Sequence, residues 1–188
     1  MNGLHPTLWR TCRTLANSRR LACLKAVLAQ PNLTVEELAE TTGLPKDQAS
    51  LCLRALQARG LIHAERHSRW VRYSPLPDRS VPAAAPILDA MRRAFFDDKM
   101  AEPAILYALT AFTHPRRLAI LRSLQISGPQ PAEKLSVATQ VSLPALWRHL
   151  GKLRLRCLTD QTQGGWQLAP GPSPLAQTML TLIACGQA

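Results

Sequence analysis

The chain has 188 residues, 46% of them hydrophobic, with 23 Lys+Arg against 12 Asp+Glu for a formal net charge of +11. That apolar content over this length builds one large or two small cores and excludes a wholly disordered chain, while the basic balance points to polyanions, nucleic acid or anionic membrane. No apolar run approaches the roughly 20 residues needed to span a bilayer, and the N-terminal stretch has no continuous apolar segment after a basic start, so a cytoplasmic protein with no membrane partner is expected.

In chain order, "NSRRLACLKAVLAQ" offers Asn17 or Ser18 as cap of an apolar-periodic helix. "PNLTVEELAETTGL" starts a short helix after Thr34, with Glu37 three residues on completing a capping box and Gly43 as the stop. "LPKDQASLCLRALQARGL" begins a third helix at Pro45, a residue suited to a first turn, and ends it at Gly60. "LIHAERHSRWVRYSP" then alternates around a polar centre and predicts a two-stranded hairpin. Prolines flank the next segment, in which Ile87, Leu88, Met91, Ala94 and Phe95 share one helical face.

The order then repeats: "HPRRLAILRSL", "PAEKLSVATQV", "SLPALWRHLGKLRLRCL" and a shorter hairpin placed around Gly164-Gly165. "PLAQTMLTLIACG" follows, almost wholly apolar, and is expected to be buried on the linking helix or the N-terminal helix. A constant shift of 97 aligns the two halves without a gap from about Leu8 to Arg66. It superposes Arg19 on Arg116, Arg20 on Arg117, Leu21 on Leu118, Leu24 on Leu121, Leu38 on Leu135, Leu53 on Leu150, Leu56 on Leu153 and Arg59 on Arg156. Leucines recurring at helical spacing make this a shared core pattern. The expected organisation is a first unit over 1–80, a linking amphipathic helix over 81–100 and a second unit over 101–188.

The residues "HPRRLAILRSL" followed by "VSLPALWRHLGKLRLRCL", and "LPKDQASLCLRALQARGLI" with "RHSRWVRYSPL" in the first half, resemble an ArsR-type winged helix-turn-helix transcription regulator. The resemblance implies a mainly α fold with small β-hairpins, arranged as tandem winged helix-turn-helix domains. Members of that family are usually homodimers joined through terminal helices, so a tandem chain looks like a dimer fused into one polypeptide. The implied function is a sequence-specific, repressor-like transcriptional regulator that binds double-stranded DNA, each copy laying one helix in the major groove of an imperfect palindrome with half-sites roughly 34 Å apart.

In the first recognition helix, leucines 53 and 56 point inward, which leaves Lys46, Gln48, Ser50 and Arg54 for the groove or phosphates; Gln48 suits adenine, Lys46 guanine or phosphate. Leu51 and Cys52 stand where the second copy has Arg148 and His149. In that second helix Trp147, Arg148, His149 and Lys152 cluster on or near the face the family presents to DNA. Arg148 is the leading candidate, able to grip guanine bidentately or clamp a phosphate, its alternative being a surface charge or an internal ion pair. The first hairpin carries Arg66, Arg69 and Arg72, whereas "TDQTQGGWQ" carries no Lys or Arg. Twelve basic residues oppose six acidic over 1–80, and eight oppose three over 101–188, so both halves are basic. The pairs Arg19-Arg20 and Arg116-Arg117 sit at helix starts, where the helix dipole disfavours positive charge, so an internal ion pair or a backbone phosphate is expected to compensate.

No cofactor is expected, and no metal site: the five cysteines are odd in number, widely spaced and never in a Cys-x-x-Cys arrangement, and the short helices that carry metal ligands in many relatives hold no Cys or His. Cys12 and Cys185 fall on helices that the resemblance brings together, so either a thiol switch or two apolar packing residues is open there. A further homodimer and an unknown small-molecule effector also stay open. No enzyme motif is present, neither a glycine-rich phosphate loop nor a nucleophile elbow. The rival to DNA binding is a protein-interaction or dimerisation module built on Trp9, Trp147, Trp166 or the apolar tail.

Overall fold

A computed structural model of the protein describes residues 7–170 and 173–186. Helix α1 (Leu8–Leu15) leads into α2 (Ser18–Ala29), whose start is capped by the Asn17 side chain accepting the Arg20 N–H. Helix α3 (Val35–Thr42) opens with the reciprocal box that the sequence predicts: Thr34 Oγ1 accepts the Glu37 N–H at 3.3 Å and Glu37 Oε2 accepts the Thr34 N–H at 2.7 Å. Gly43 closes it in the left-handed region, φ 67°, where a side chain would be strained. Helix α4 (Lys46–Gln57) follows, with Pro45 one place outside it as the cap residue.

Strands β1 (His63–His67) and β2 (Trp70–Ser74) pair antiparallel from His63↔Ser74 to His67↔Trp70, which puts Ser68 and Arg69 at the tip. Helix α5 (Ala84–Arg92) runs on into a π turn over Arg93–Asp97. Then come α6 (Glu102–Leu109), a 3₁₀ turn over Thr110–Phe112, α7 (Pro115–Ser127), α8 (Ala132–Thr139), α9 (Leu143–Arg154), β3 (Thr159–Thr162), β4 (Gly165–Leu168) and α10 (Pro174–Ala184). The fold is mainly helical with two small antiparallel hairpins.

The leucines of the repeated pattern are the core. Leu21 and Leu24 of α2 pack with Leu38 of α3 and Leu53 and Leu56 of α4; Leu118 and Leu121 of α7 pack with Leu135 of α8 and Leu150 and Leu153 of α9. All ten are at most 2% exposed, each stabilising the fold by about 1.5–3 kcal/mol relative to exposure. Details of backbone pairing recur as well. Leu33 bridges antiparallel to Tyr73, and Gln130, 97 residues beyond Leu33, bridges to Trp166. Arg20 Nε donates to Thr14 O at 2.6 Å; Arg117 Nε donates to Ala111 O at 2.6 Å, both positions displaced by 97.

Between the halves, α1 packs against α6 and the 3₁₀ turn, while α5 packs against α10. The buried faces of that seam hold Ile87, Met91, Ile105, Leu109, Met179 and Ile183. The apolar segment 174–184 therefore meets the linking helix, and also α7; Cys12 Sγ against Met179 Sδ at 3.8 Å joins α10 to α1.

Two sequence expectations are corrected here. The second hairpin does not turn on Gly164-Gly165: Thr162 pairs with Gly165, so the tip is Gln163-Gly164. Gly165 is instead the first strand residue, held at φ +109° where any Cβ would come within 2.5 Å of the Gln130 carbonyl. The arginines at the helix starts are not compensated by ion pairs: among the described residues, Arg20 and Arg117 are held by neutral backbone carbonyls and a hydroxyl.

Candidate nucleic-acid interface

Helix α4 buries Ala49, Cys52, Leu53 and Leu56, so its outward ridge runs through Asp47, Leu51 and Arg54. Of the expected contact residues, Lys46 and Arg54 are exposed, and Gln48 and Ser50 flank the ridge, half-buried. Lys46 is in an ion pair with Glu36 of α3, which holds the Glu36 carboxyl below the usual carboxylate range. Leu51 is 58% exposed in the middle of the ridge.

Helix α9 buries Ala145, Leu146, Leu150 and Leu153, which turns Arg148, Gly151 and Lys152 outward, Arg148 and Lys152 one turn apart on one ridge. Trp147, 46% exposed, leans edge-on against Trp166 of β4, ring centres 5.9 Å apart at 70°. This contact ties the exposed face of α9 to its own hairpin. His149 turns the other way, its ring 4.7 Å from that of His114. Burial and then the neighbouring His114 and cations push it down to about 4, so it is a neutral packing residue, with a buried Nδ1 that has no partner among the described residues.

The first hairpin exposes Arg66 and Arg69, Arg69 stacked over Trp70 at 5.4 Å and Arg66 Nε donating to Ser68 O at 3.2 Å. Arg72 is half-buried; its Nη1 donates to Asn32 O at 2.8 Å, fastening the hairpin to the loop before α3. The second hairpin exposes Asp160, Gln161, Thr162 and Gln163. Arg154 of α9 brings its Nε to 3.9 Å from Asp160 Oδ1 of this hairpin.

Sequence reasoning missed one grouping. Arg13 of α1, His114 and Arg117 of α7's start, Lys152 of α9 and Arg156 of the turn that follows it line one cleft beside the α9 ridge. The residues are up to 143 positions apart, so no local spacing announces them; only the paired repeat arginines pointed to part of it.

Cys12 is buried against Met179 and its thiol is pushed up to about 12 by desolvation, whereas Cys185 is exposed. Cys185 lies six positions beyond Met179, about 9 Å along the axis, so Cys12 stands as an apolar packing residue. No helix of the described residues is long and apolar enough to cross a membrane.

The family described as sugar-specific transcriptional regulator TrmB matches residues 21–79, from α2 through the first hairpin. Those residues form a winged helix-turn-helix unit: three helices around one leucine core, closed by a two-stranded hairpin bridged to Leu33. No curated protein matches the chain.

Proposed function

We propose that the chain is a sequence-specific, double-stranded-DNA-binding transcriptional regulator, repressor-like, in which two winged helix-turn-helix units act as a fused dimer on an imperfect palindrome. The observation that carries this reading is the recurrence of one winged unit's architecture. Helix, short helix, helix and hairpin come twice in the same order, with the Leu33–Tyr73 and Gln130–Trp166 bridges at matching places. The pairing of α1 with α6 and of α5 with α10 is the pairing of each terminal helix with its counterpart, as in a two-fold dimer of ArsR-type units. The TrmB match adds a regulator family to the first unit, and sugar is the effector class that this description brings into view.

The DNA-facing set is Lys46, Gln48, Ser50, Arg54, Arg66, Arg69 and Arg72 from the first unit and Trp147, Arg148 and Lys152 from the second, with His149 holding α9 in place on α7. The first unit grips the backbone with the arginines of its hairpin; the second reads bases with Arg148. Its hairpin, lacking cations, leaves recognition to the helix.

Selection from a random duplex pool followed by salt-dependent gel shifts tests this. Expected are a site with two unequal halves and an affinity falling with salt at a slope near 0.9 per phosphate neutralised. Arg148→Ala weakens binding and relaxes preference at one position, whereas Arg69→Ala weakens it evenly across sequences. A second reading, a protein-interaction module, draws on the exposed Leu51, Trp70 and Trp147 on the same faces. Binding to a partner that ignores salt and competitor DNA would favour it.

A further inference from the structure

The cleft of about 410 Å³ between α1, the 3₁₀ turn, α7 and α9 gathers Arg13, His114, Arg117, Lys152 and Arg156, and no carboxylate of the described residues lines it. Arg117 is the informative member. It is 93% buried, yet every partner it has is neutral: Nε donates to Ala111 O, and Nη2 donates to Thr110 O at 2.7 Å and to Thr113 Oγ1 at 2.7 Å. Its Nη1 has no partner among the described residues. Arg156 is fixed the same way, Nε to Thr110 Oγ1 at 2.7 Å and Nη1 to Lys152 O at 2.9 Å, with its guanidinium stacked over Tyr107 at 4.6 Å; its Nη2 has no partner among the described residues.

A buried cation ordinarily sits against an anion, because desolvation penalises it otherwise. Here desolvation and then the adjacent Arg156 lower Arg117, and His114 is lowered first by burial and then by charges that are all positive, Arg117, Arg116, Lys152 and Arg13. The two guanidiniums are thus held rigid by carbonyls and hydroxyls, each with N–H groups left over, under a field of one sign. Two fixed forks with spare donors, joined in the cleft by Arg13 of α1 and Lys152 of α9, match the several peripheral oxygens of a dianion and exceed what one carboxylate would use.

We propose that this cleft is a phosphate-binding site, filled by the phosphate group of a small phosphate ester or of the DNA backbone. It lies under α9, and Lys152 belongs to both the cleft and the ridge that carries Arg148. The consequence for DNA recognition rests on the function proposed above; the anion chemistry does not. Occupancy by a free phosphate ester neutralises Lys152 and Arg156 at one end of the reading helix, which gives an anionic effector a route to alter DNA affinity.

The test uses the full chain with arginine side chains labelled with ¹⁵N, following the Nε–H resonances of Arg117 and Arg156 at constant ionic strength. Probes are inorganic phosphate, glycerol 3-phosphate, glycerol as the neutral control, and a random-sequence duplex. Both resonances are expected to shift and saturate with the two phosphates, at roughly millimolar concentration or below, and to ignore glycerol. Arg13→Gln and Lys152→Gln each raise the midpoint at least about fivefold, whereas Arg79→Gln, which removes the same charge from a distant exposed site, does not. Both substitutions fall on exposed side chains, so they leave the fold intact, unlike changes at Arg117. Saturation by the small phosphates assigns the site to a free ester; movement with the duplex alone assigns it to a backbone phosphate. Linear drift without saturation, equal midpoints for Arg13→Gln and Arg79→Gln, or silence toward both phosphates and duplex overturns the site. A chain that saturates with phosphate but shows no duplex affinity keeps the site and refutes the DNA-binding function.

Discussion

Substituting Gly165 by alanine isolates the contact that attaches the second hairpin to the body of its unit. The residue lies at φ +109°, and a Cβ there would stand 2.5 Å from the Gln130 carbonyl carbon and oxygen and 2.7 Å from Pro131 N. All three are backbone atoms, so relief requires the strand to move away from residue 130. That movement breaks the two hydrogen bonds of the bridge, Gln130 N–H to Trp166 O at 3.0 Å and Trp166 N–H to Gln130 O at 2.8 Å. Each bond contributes about 1 kcal/mol net, and the backbone conformation itself costs a side-chain-bearing residue about 1–3 kcal/mol. The sum is about 3–5 kcal/mol. For a protein of this size each kcal/mol lowers the melting temperature by about 2–4 °C, so calorimetry should show a drop of roughly 6–20 °C. Gly164→Ala is the matched control: its nearest neighbours are 3.8 and 3.9 Å from the added carbon and its φ is not positive, so the change should stay within about 0.5 kcal/mol. If Gly165→Ala melted within two or so degrees of the parent, or if the two alanines cost the same, the inferred role of the bridge in fixing the hairpin would be wrong.

Thr34→Ala removes the acceptor of the Glu37 N–H and half of the capping box, and should lower stability by about 1 kcal/mol in urea titrations with an unchanged m-value. Leu150→Ala opens the 0%-exposed centre of the second core and should cost about 2–5 kcal/mol, whereas Leu51→Ala, 58% exposed, should stay within about 0.5 kcal/mol; equal effects would mean the buried face of one helix is misassigned. His149 titrates near 4 in the folded chain and near 6.5 when unfolded, so the unfolded state takes up its proton first. Stability is then complete above about 6.5 and lost as pH falls toward 4, by on the order of 1–2 kcal/mol after allowance for partial solvent screening. Urea midpoints across that window check it, and His149→Leu should flatten the slope; an unchanged slope would place the titration elsewhere.

The periodic leucines were enough to predict three helices in each half, because burying one face of a helix demands apolar residues at its repeat whatever lies around it. Thr34 with Glu37, and Gly43, likewise marked their helix ends from local chemistry alone, since caps answer to neighbours three or four residues away. Local chemistry misled where a distant partner decides. Gly164-Gly165 reads as a turn by itself, yet Gly165 is glycine because Gln130 leaves no room for a Cβ. His149, on paper one of a run of polar groups facing out, is turned toward His114 because helical phase puts it beside the α7 cap. The arginines at the helix starts call for an ion pair or a phosphate by the dipole argument, but only the tertiary structure shows that Arg20 and Arg117 reach neutral carbonyls six residues back. A string of residues fixes which side chains repeat and which groups cap; it carries no information on what comes within hydrogen-bond reach across 100 positions. For that reason the leucine core was readable in advance, and the gathering of Arg13, Arg117 and Arg156 around one cleft emerged only once α1 had packed beside the turn before α7.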